Sequence, residues 1–544
     1  VKLNAQVSEA LPPLAWLLEI DGRPERHRLL CGRSVCRGDR AFFEGAWPGS
    51  LAAMDFAGKA DAFGSGGVLT EDGWIIVPPS HTLESLFTCR AGEQLFVSNS
   101  LPFLLAHRGD ALDPAFLDYH RVFFEILGGI EHSPIRFPSL RSREICGWYF
   151  DNLAIGADLE IAVQPKPKGP RFAAFADYRA HLASIVEATL DNARDPARPH
   201  PYRPLATISQ GYDSPACAAL AREAGCREAV THGHARRAFG IIDPDSGEEI
   251  AQALDMAITV TDRRFYLQRD DLDAPEAEFF CHGLEGSDVN YLAFAPVIGQ
   301  RVLFTGCHGD TMWEKQKVPS DVIKRGDLDG GSLGEYRRRM DFIHLPLPYV
   351  GALRHRDVVA ISNTAELAPY SVGGEYDRPI PRRILEEAGV PRTAFGQAKK
   401  ATTLSFFGFQ PGLVEHLSPS TRRALADFAK DWRPGLGARL RLWRNEAIAI
   451  LVAAVRLFEK RTHLIRRIGL EPPLEILLHV LDTRNLDTAE TVKVLHWSMA
   501  AMIRRYTVPG GSRAAAPAAA RESALLALLV SAIQLAGPLL PAAA

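Results

Sequence analysis

The chain has 544 residues, 47% of them hydrophobic and 23% charged, and its 62 Lys and Arg against 65 Asp and Glu give a formal charge of −3. That composition supplies ample apolar material for a core and excludes a disordered, collagen-like or disulfide-framework chain. A near-neutral balance also provides no global field for nucleic acid, leaving only local basic patches to consider. The eight cysteines include no CxxC pair and no zinc-finger His pair accompanies them. Reduced, structural thiols in a cytoplasmic protein are therefore expected. No signal peptide is read at the start, because the apolar run Leu11 to Ile20 is interrupted by Pro12 and Pro13.

Residues 1–165 read as strands and turns. Gly66 to Thr70 and Trp74 to Val77 flank Glu71-Asp72-Gly73, the pattern of a hairpin, and Gln94 to Ser98 follows in the same style. A helical stretch is expected over Pro114 to Leu127, and strands resume near Trp148 to Phe150 and Leu159 to Val163. The polar, Pro-rich segment Gln164 to Pro170 is the best boundary in the chain. From 171 the period changes. Helices are expected over Phe172 to Ala193, Pro215 to Ala224 and Glu248 to Leu254, and strands over Leu205 to Ile208, Glu228 to Thr231, Ala257 to Thr261 and Arg301 to Thr305. Such alternation implies a parallel sheet covered by helices. Beyond residue 410 the sequence reads as almost wholly helical up to 508. Residues 509–544 form a linker and an Ala/Leu-rich tail. Its last 22 residues, from Ser523, carry no charge, and a packed or frayed helix is favoured there over a membrane anchor.

One turn carries the chemistry. Ser209-Gln210-Gly211-Tyr212-Asp213-Ser214 follows a strand and opens a helix, so its backbone N–H groups and the helix N-terminus converge on one concavity suited to phosphate. Gly211 allows close backbone approach, and Ser209 and Ser214 add hydroxyls. Pro215 sits in the first helical turn, where its missing N–H costs nothing. Asp213 repels phosphate directly but fits if Mg²⁺ lies between carboxylate and phosphates.

This turn resembles the pyrophosphate-binding loop S-G-G-x-D-S of the N-type ATP pyrophosphatases, and the wider sequence is similar to the asparagine synthetase family. Val230-Thr231-His232-Gly233 falls where the family contacts adenosine, and Asp245 to Ala251 resembles the acidic, helix-opening segment that follows. Phe304-Thr305-Gly306-Cys307-His308-Gly309-Asp310-Thr311 stands where the family has S-G-x-G-x-D-E after a strand. Tyr376 to Arg383 is similar to the segment preceding a substrate-side helix, and Phe395 to Lys400 to a basic loop. Leu95 to Leu105 and Leu140 to Tyr149 look like closing portions of the family's glutaminase domain.

The resemblance implies an α/β protein: an N-terminal glutaminase-like (Ntn-type) α+β domain over 1–165, then a parallel-sheet PP-loop ATP pyrophosphatase domain over 171–508 with a mostly helical end. It implies ATP and Mg²⁺ as cofactors. Ser209, Gln210, Gly211, Asp213, Ser214, His232 and Gly306 would bind nucleotide, Asp213 and Asp310 the metal, and Lys399 and Lys400 would neutralise developing charge as catalytic residues. Val1 stands where working glutaminases carry Cys, so the likeness tilts to the branch that uses an amine already on the substrate, as beta-lactam synthetases and lasso-peptide cyclases do. The activity implied is ATP-dependent amide formation: adenylation of a carboxylate, release of pyrophosphate and acyl transfer to a bound amine. Partners expected are a small-molecule or peptide substrate carrying both groups, no nucleic acid and no membrane, with a homodimer left open.

The family pattern is not kept everywhere. Gln210 replaces a Gly, at a cost of about 1–2 kcal/mol if that position needs positive φ. His308 also replaces a Gly, and Thr311 the final Glu. An alternative reading is accordingly a nucleotide-binding scaffold without turnover. Gly330-Gly331-Ser332-Leu333-Gly334 fits a hydrolase elbow but lacks the apolar strand before it, and reads instead as a mobile loop or lid over 326–334. His232 and His234 lack a third ligand. The Lys/Arg-rich run from Arg433 to Arg467 reads as solvated helix faces.

Overall fold

The computed structural model describes residues 2–23, 26–236, 242–283, 286–374, 376–397, 417–462 and 488–506. Its N-terminal part contains two sheets, one of seven strands and one of six. Every pairing in them is antiparallel except the edge pair Asn4–Val7 with Arg28–Cys31. Strand alternation explains why they stack, since successive side chains point to opposite faces. Trp16, Leu18 and Ile20 share one buried cluster with Phe42, Trp74 and Ile76 of the other sheet. The expected hairpin is present, with Phe63–Leu69 paired to Trp74–Val77. The helix expected over Pro114 to Leu127 is shorter, an α-helix Tyr119–Phe124 and a 3₁₀ turn Glu125–Gly128. The Pro-rich boundary is anchored rather than solvated, because Lys166 is buried and donates to the Pro78 carbonyl at 2.7 Å.

The second part is built on five strands, all parallel. In spatial order they are Ala257–Thr261, Glu228–His232, Arg203–Thr207, Arg301–Thr305 and Ile343–Pro346, that is third, second, first, fourth and fifth along the chain. Period-2 alternation divides their side chains between two cores. Leu205, Val230 and Leu303 face one cluster, while Ala206, Ala229, Val302 and Phe304 face the other. The helix Phe175–Arg194 presents Tyr178, Leu182, Ile185 and Leu190 at helical spacing to the second of these. The helix Asp213–Glu223 buries Ala216, Ala218, Ala219 and Ala221, small residues that let it lie close on the sheet, and Gly225 at φ +89° ends it. Described residues after 417 form the helices Pro419–Asp431, Leu436–Thr462 and Ala489–Arg505.

The two parts share buried charge. Arg337 pairs with Glu44 and Glu84 at 2.8 Å each, and Arg338 with Glu84 at 3.2 Å and Glu335 at 2.7 Å, all within the interior. Burial alone would raise the Glu84 carboxyl, but Arg337 and Arg338 hold it down to about 2. Seven cysteines are buried and Cys307 is half-buried, all of them free. Among the described residues no helix is long and apolar enough to cross a membrane. The Ser523 to Ala544 tail lies outside them.

Candidate functional site

In an open parallel sheet, the crevice lies where neighbouring strands send their connections to opposite faces, beyond the carboxyl ends. Here that point falls between Arg203–Thr207 and Arg301–Thr305, which pair directly. The loop 208–212 leaves the first strand and the loop 306–308 leaves the second. A cleft of about 160 Å³ opens at this place, lined by Ser209, Gly211, Asp213, Ser214, His232, Gly306 and Asp310 among others.

The two loops are nearly in contact. A Cβ on Gly306 would lie 2.6 Å from the Asp213 carbonyl carbon, and one on Gly309 would lie 2.6 Å from the Asp213 Cβ. Only glycine fits at either position with the first loop where it is. Gly211 differs, since an added Cβ would meet only the Ser209 and Tyr376 hydroxyls, both at 3.4 Å. The Ser209 and Ser214 hydroxyls lie 3.1 Å apart, and the Gly211 N–H donates to Ser209 Oγ at 3.3 Å. With the helix Asp213–Glu223 starting here, backbone N–H groups and the positive end of its dipole face the cleft.

Gln210 does not line the cleft. Its N–H donates to Asp245 at 3.1 Å and its carbonyl accepts from Gly396 N–H at 2.8 Å. It also lacks the positive φ that would have made a non-glycine costly, so the expected strain does not arise. The left-handed residue is instead His308, at φ +75°. Its ring stacks on Tyr349 at 4.2 Å between centroids, and burial pushes the imidazole down to about 3, so it is neutral. Thr311 is buried and donates to the Arg325 carbonyl at 3.4 Å. Lys399 and Lys400 lie outside the described residues.

His232 stacks on Phe294 at 4.5 Å and is pushed down to about 3 by burial. Its hydrogen bonds define a tautomer. The Asn290 amide donates to Nε2 at 3.0 Å, and Thr261 already donates its own proton to the Thr231 carbonyl, so Nδ1–H donates to Thr261 Oγ1 at 3.0 Å. A neutral, stacked imidazole at a strand end suits contact with an uncharged ring or hydroxyl.

The cleft is also lined by the acidic residues Asp288, Asp310, Asp327 and Asp329. Burial first, then the charges of Asp329 and Asp310, push the Asp327 carboxyl up to about 9, and it bonds to Asp310 in the protonated form. The stretch 326–334, expected as a mobile loop or lid, is packed onto the cleft: Ser332 is fully buried, and the N–H groups of Gly330 and Ser332 donate to Asp288 at 2.8 and 2.9 Å. Arg325, also buried, donates to Thr82 and Leu328 carbonyls at 3.1 and 3.0 Å. The stretch forms one wall of the cleft, and its signal in the sequence is the acidic pair in Asp327-Leu328-Asp329.

Two more side chains complete the mouth. Arg378 donates to Asp213, lies 3.4 Å from Glu314 and stacks over the Tyr376 ring at 4.9 Å. Both residues belong to a segment whose resemblance to the family was noted, yet neither was assigned to the site. Neither a protein-family model nor the sequence of a curated protein matches the chain.

The donor set can be tested against Mg²⁺. Among the described residues no three His, Cys, Asp or Glu side chains are grouped as a metal cage. Mg²⁺ ordinarily takes one or two carboxylates and completes its shell with water and phosphate oxygens. Asp213 and Asp310, in the first turns of the two helices that follow these loops, line one cleft and are hard oxygen donors of that kind. Arg378 already engages one oxygen of Asp213, so a cation there would share that carboxylate with a guanidinium.

Proposed function

We propose that the chain is an ATP-dependent carbon–nitrogen ligase that adenylates a substrate carboxylate, releases pyrophosphate and transfers the acyl group to a bound amine. One observation carries the reading. Two motifs almost a hundred positions apart, each similar to a phosphate- or metal-binding segment of the N-type ATP pyrophosphatases, pack at the switch point so tightly that Gly306 and Gly309 touch Asp213. The two antiparallel sheets before it are compatible with a glutaminase-like (Ntn-type) domain, and the five-stranded parallel sheet with a PP-loop domain.

In this reading the N–H groups opening the Asp213–Glu223 helix, with Ser209 and Ser214, hold the pyrophosphate of ATP. Gly211 leaves room for it, and His232 with Phe294 borders the adenosine. Asp213 and Asp310 would hold Mg²⁺, which supplies charge neutralisation at the phosphates. Asp329, beside the protonated Asp327, is placed to accept from a substrate amine, and the 326–334 wall would keep water from an acyl group awaiting attack. Substrates are small molecules or peptides bearing both a carboxylate and an amine. Lys399 and Lys400 remain candidates for charge stabilisation in the transfer.

A second reading, a nucleotide-binding scaffold without turnover, is favoured by Arg378, which already neutralises Asp213. Titration calorimetry with ATP and Mg²⁺, with Asp213→Asn as control, tests what the readings share. Binding that is lost in the variant supports both, and no binding to the wild type removes both. Turnover separates them.

A further inference from the structure

The helix Leu436–Thr462 has two apolar faces. Its inner face packs Leu442 against Leu117 and Val492, with Ala438 alongside, and Asn445 is buried on the same side. Its outer face carries Leu436, Leu440, Trp443 and Ile450, which are 67%, 61%, 71% and 68% exposed. These are four of the eleven large apolar side chains left in solvent among the described residues. With Ala447 and Ala454, also exposed, they recur at spacings of four, three, four, three and four residues. At 3.6 residues per turn, positions 436 to 450 of that stripe span an arc of about 80°, on the side opposite Leu442 and Asn445. An arc so narrow is the seam of one helix against another, since a surface helix facing a broad apolar layer needs more than about 100°.

The flanking charges choose the occupant. Arg439 and Arg444 border the seam on either side and both are exposed, while Glu446 lies two turns on from Arg439 along the same border. Two such helices running parallel would set Arg439 of each against Arg444 of the other, because flanking positions meet five residues apart in that arrangement. Running antiparallel, they set Leu440 against Trp443, Leu436 against Ala447 and Arg439 against Glu446, twice by symmetry. We propose that this face is the interface of a two-fold dimer, in which a second copy of the chain lies antiparallel across Leu436 to Ala447. The contact is isologous, so a single self-complementary patch serves both chains.

Sedimentation equilibrium of the full chain at tens of micromolar tests it. The wild type should show twice the mass of one chain. Leu440→Glu should weaken association at least about tenfold, whereas Val318→Glu, at an exposed apolar residue elsewhere, should not. Arg439→Glu alone should weaken the dimer, and Arg439→Glu with Glu446→Arg should restore it. A wild type that stays monomeric overturns the proposal, even if it binds anionic vesicles or an acidic helical peptide through Trp443. A dimer unmoved by Leu440→Glu, or not restored by the charge exchange, overturns it equally.

Discussion

Arg378 holds Asp213. The guanidinium of a residue just before the Pro379–Glu387 helix donates to the carboxylate that opens the Asp213–Glu223 helix, at the mouth of the cleft. The pair places a fixed positive charge where the proposed reaction requires a metal ion. Divalent cation and Arg378 therefore compete for one carboxylate.

That competition can be measured without turnover. A charge-assisted hydrogen bond contributes about 1.5–3 kcal/mol, so Arg378→Gln should bind Mn²⁺ about tenfold or more tightly in the absence of nucleotide. Paramagnetic resonance of free Mn²⁺ reads the change. Equal affinity in wild type and variant would show that Arg378 does not guard the site.

The glycines should separate by what surrounds them. Gly309→Ala and Gly306→Ala force a Cβ to within 2.6 Å of Asp213 atoms and must displace the loop. Each is expected to cost about 1–3 kcal/mol in urea denaturation and to abolish ATP binding. Gly211→Ala meets nothing closer than 3.4 Å, so the fold should keep its stability. Any loss of ATP affinity in that variant then reports the approach of the ligand itself.

Lys166 gives the stability a pH signature. Burial pushes its ammonium down to about 7 despite the nearby Asp61 and Asp151 carboxylates. Above that value the folded chain has lost a proton that the unfolded chain keeps up to its ordinary 10.5, so unfolding takes up a proton and stability rises with pH. Between pH 7 and 9 the wild type should gain about 2 kcal/mol relative to Lys166→Met, read from paired urea titrations. Parallel pH curves for the two proteins would contradict it.

Arg337 joins the two parts of the molecule through Glu44 and Glu84. Arg337→Met leaves both carboxylates buried without that partner and should cost about 3–5 kcal/mol. Arg136→Met, removing an exposed pair with Glu144, should cost under about 1 kcal/mol. Thermal denaturation of the two variants side by side checks the contrast.

Much of the fold is legible in the sequence because it rests on local period. Leu205 to Ile208, Glu228 to Thr231 and Ala257 to Thr261 alternate strands with helices, and the parallel sheet contains them nearly as read. The Ser209–Ser214 turn is legible because strand, glycine and helix start follow one another in a few residues. What the sequence conceals is tertiary. Asp327 and Asp329 become cleft wall only because Asp288 and Arg325 pin their loop, and nothing local distinguishes such a loop from a mobile one. Arg378 reaches Asp213 across 165 positions. Whether Gln210 or a neighbour takes a positive φ is not legible either, and it is His308 that does, since φ at a loop position depends on how the loop is packed.

The central claim concerns which phosphate bond breaks. Incubating the full chain with ATP labelled at the α-phosphate, Mg²⁺ and pooled carboxylate metabolites, then separating the nucleotides, tests it most directly. The account predicts AMP and pyrophosphate, absent from Asp213→Asn and unchanged in Arg136→Met, which alters only an exposed ion pair. ADP and phosphate as the products, or no labelled product from any carboxylate pool, would contradict it.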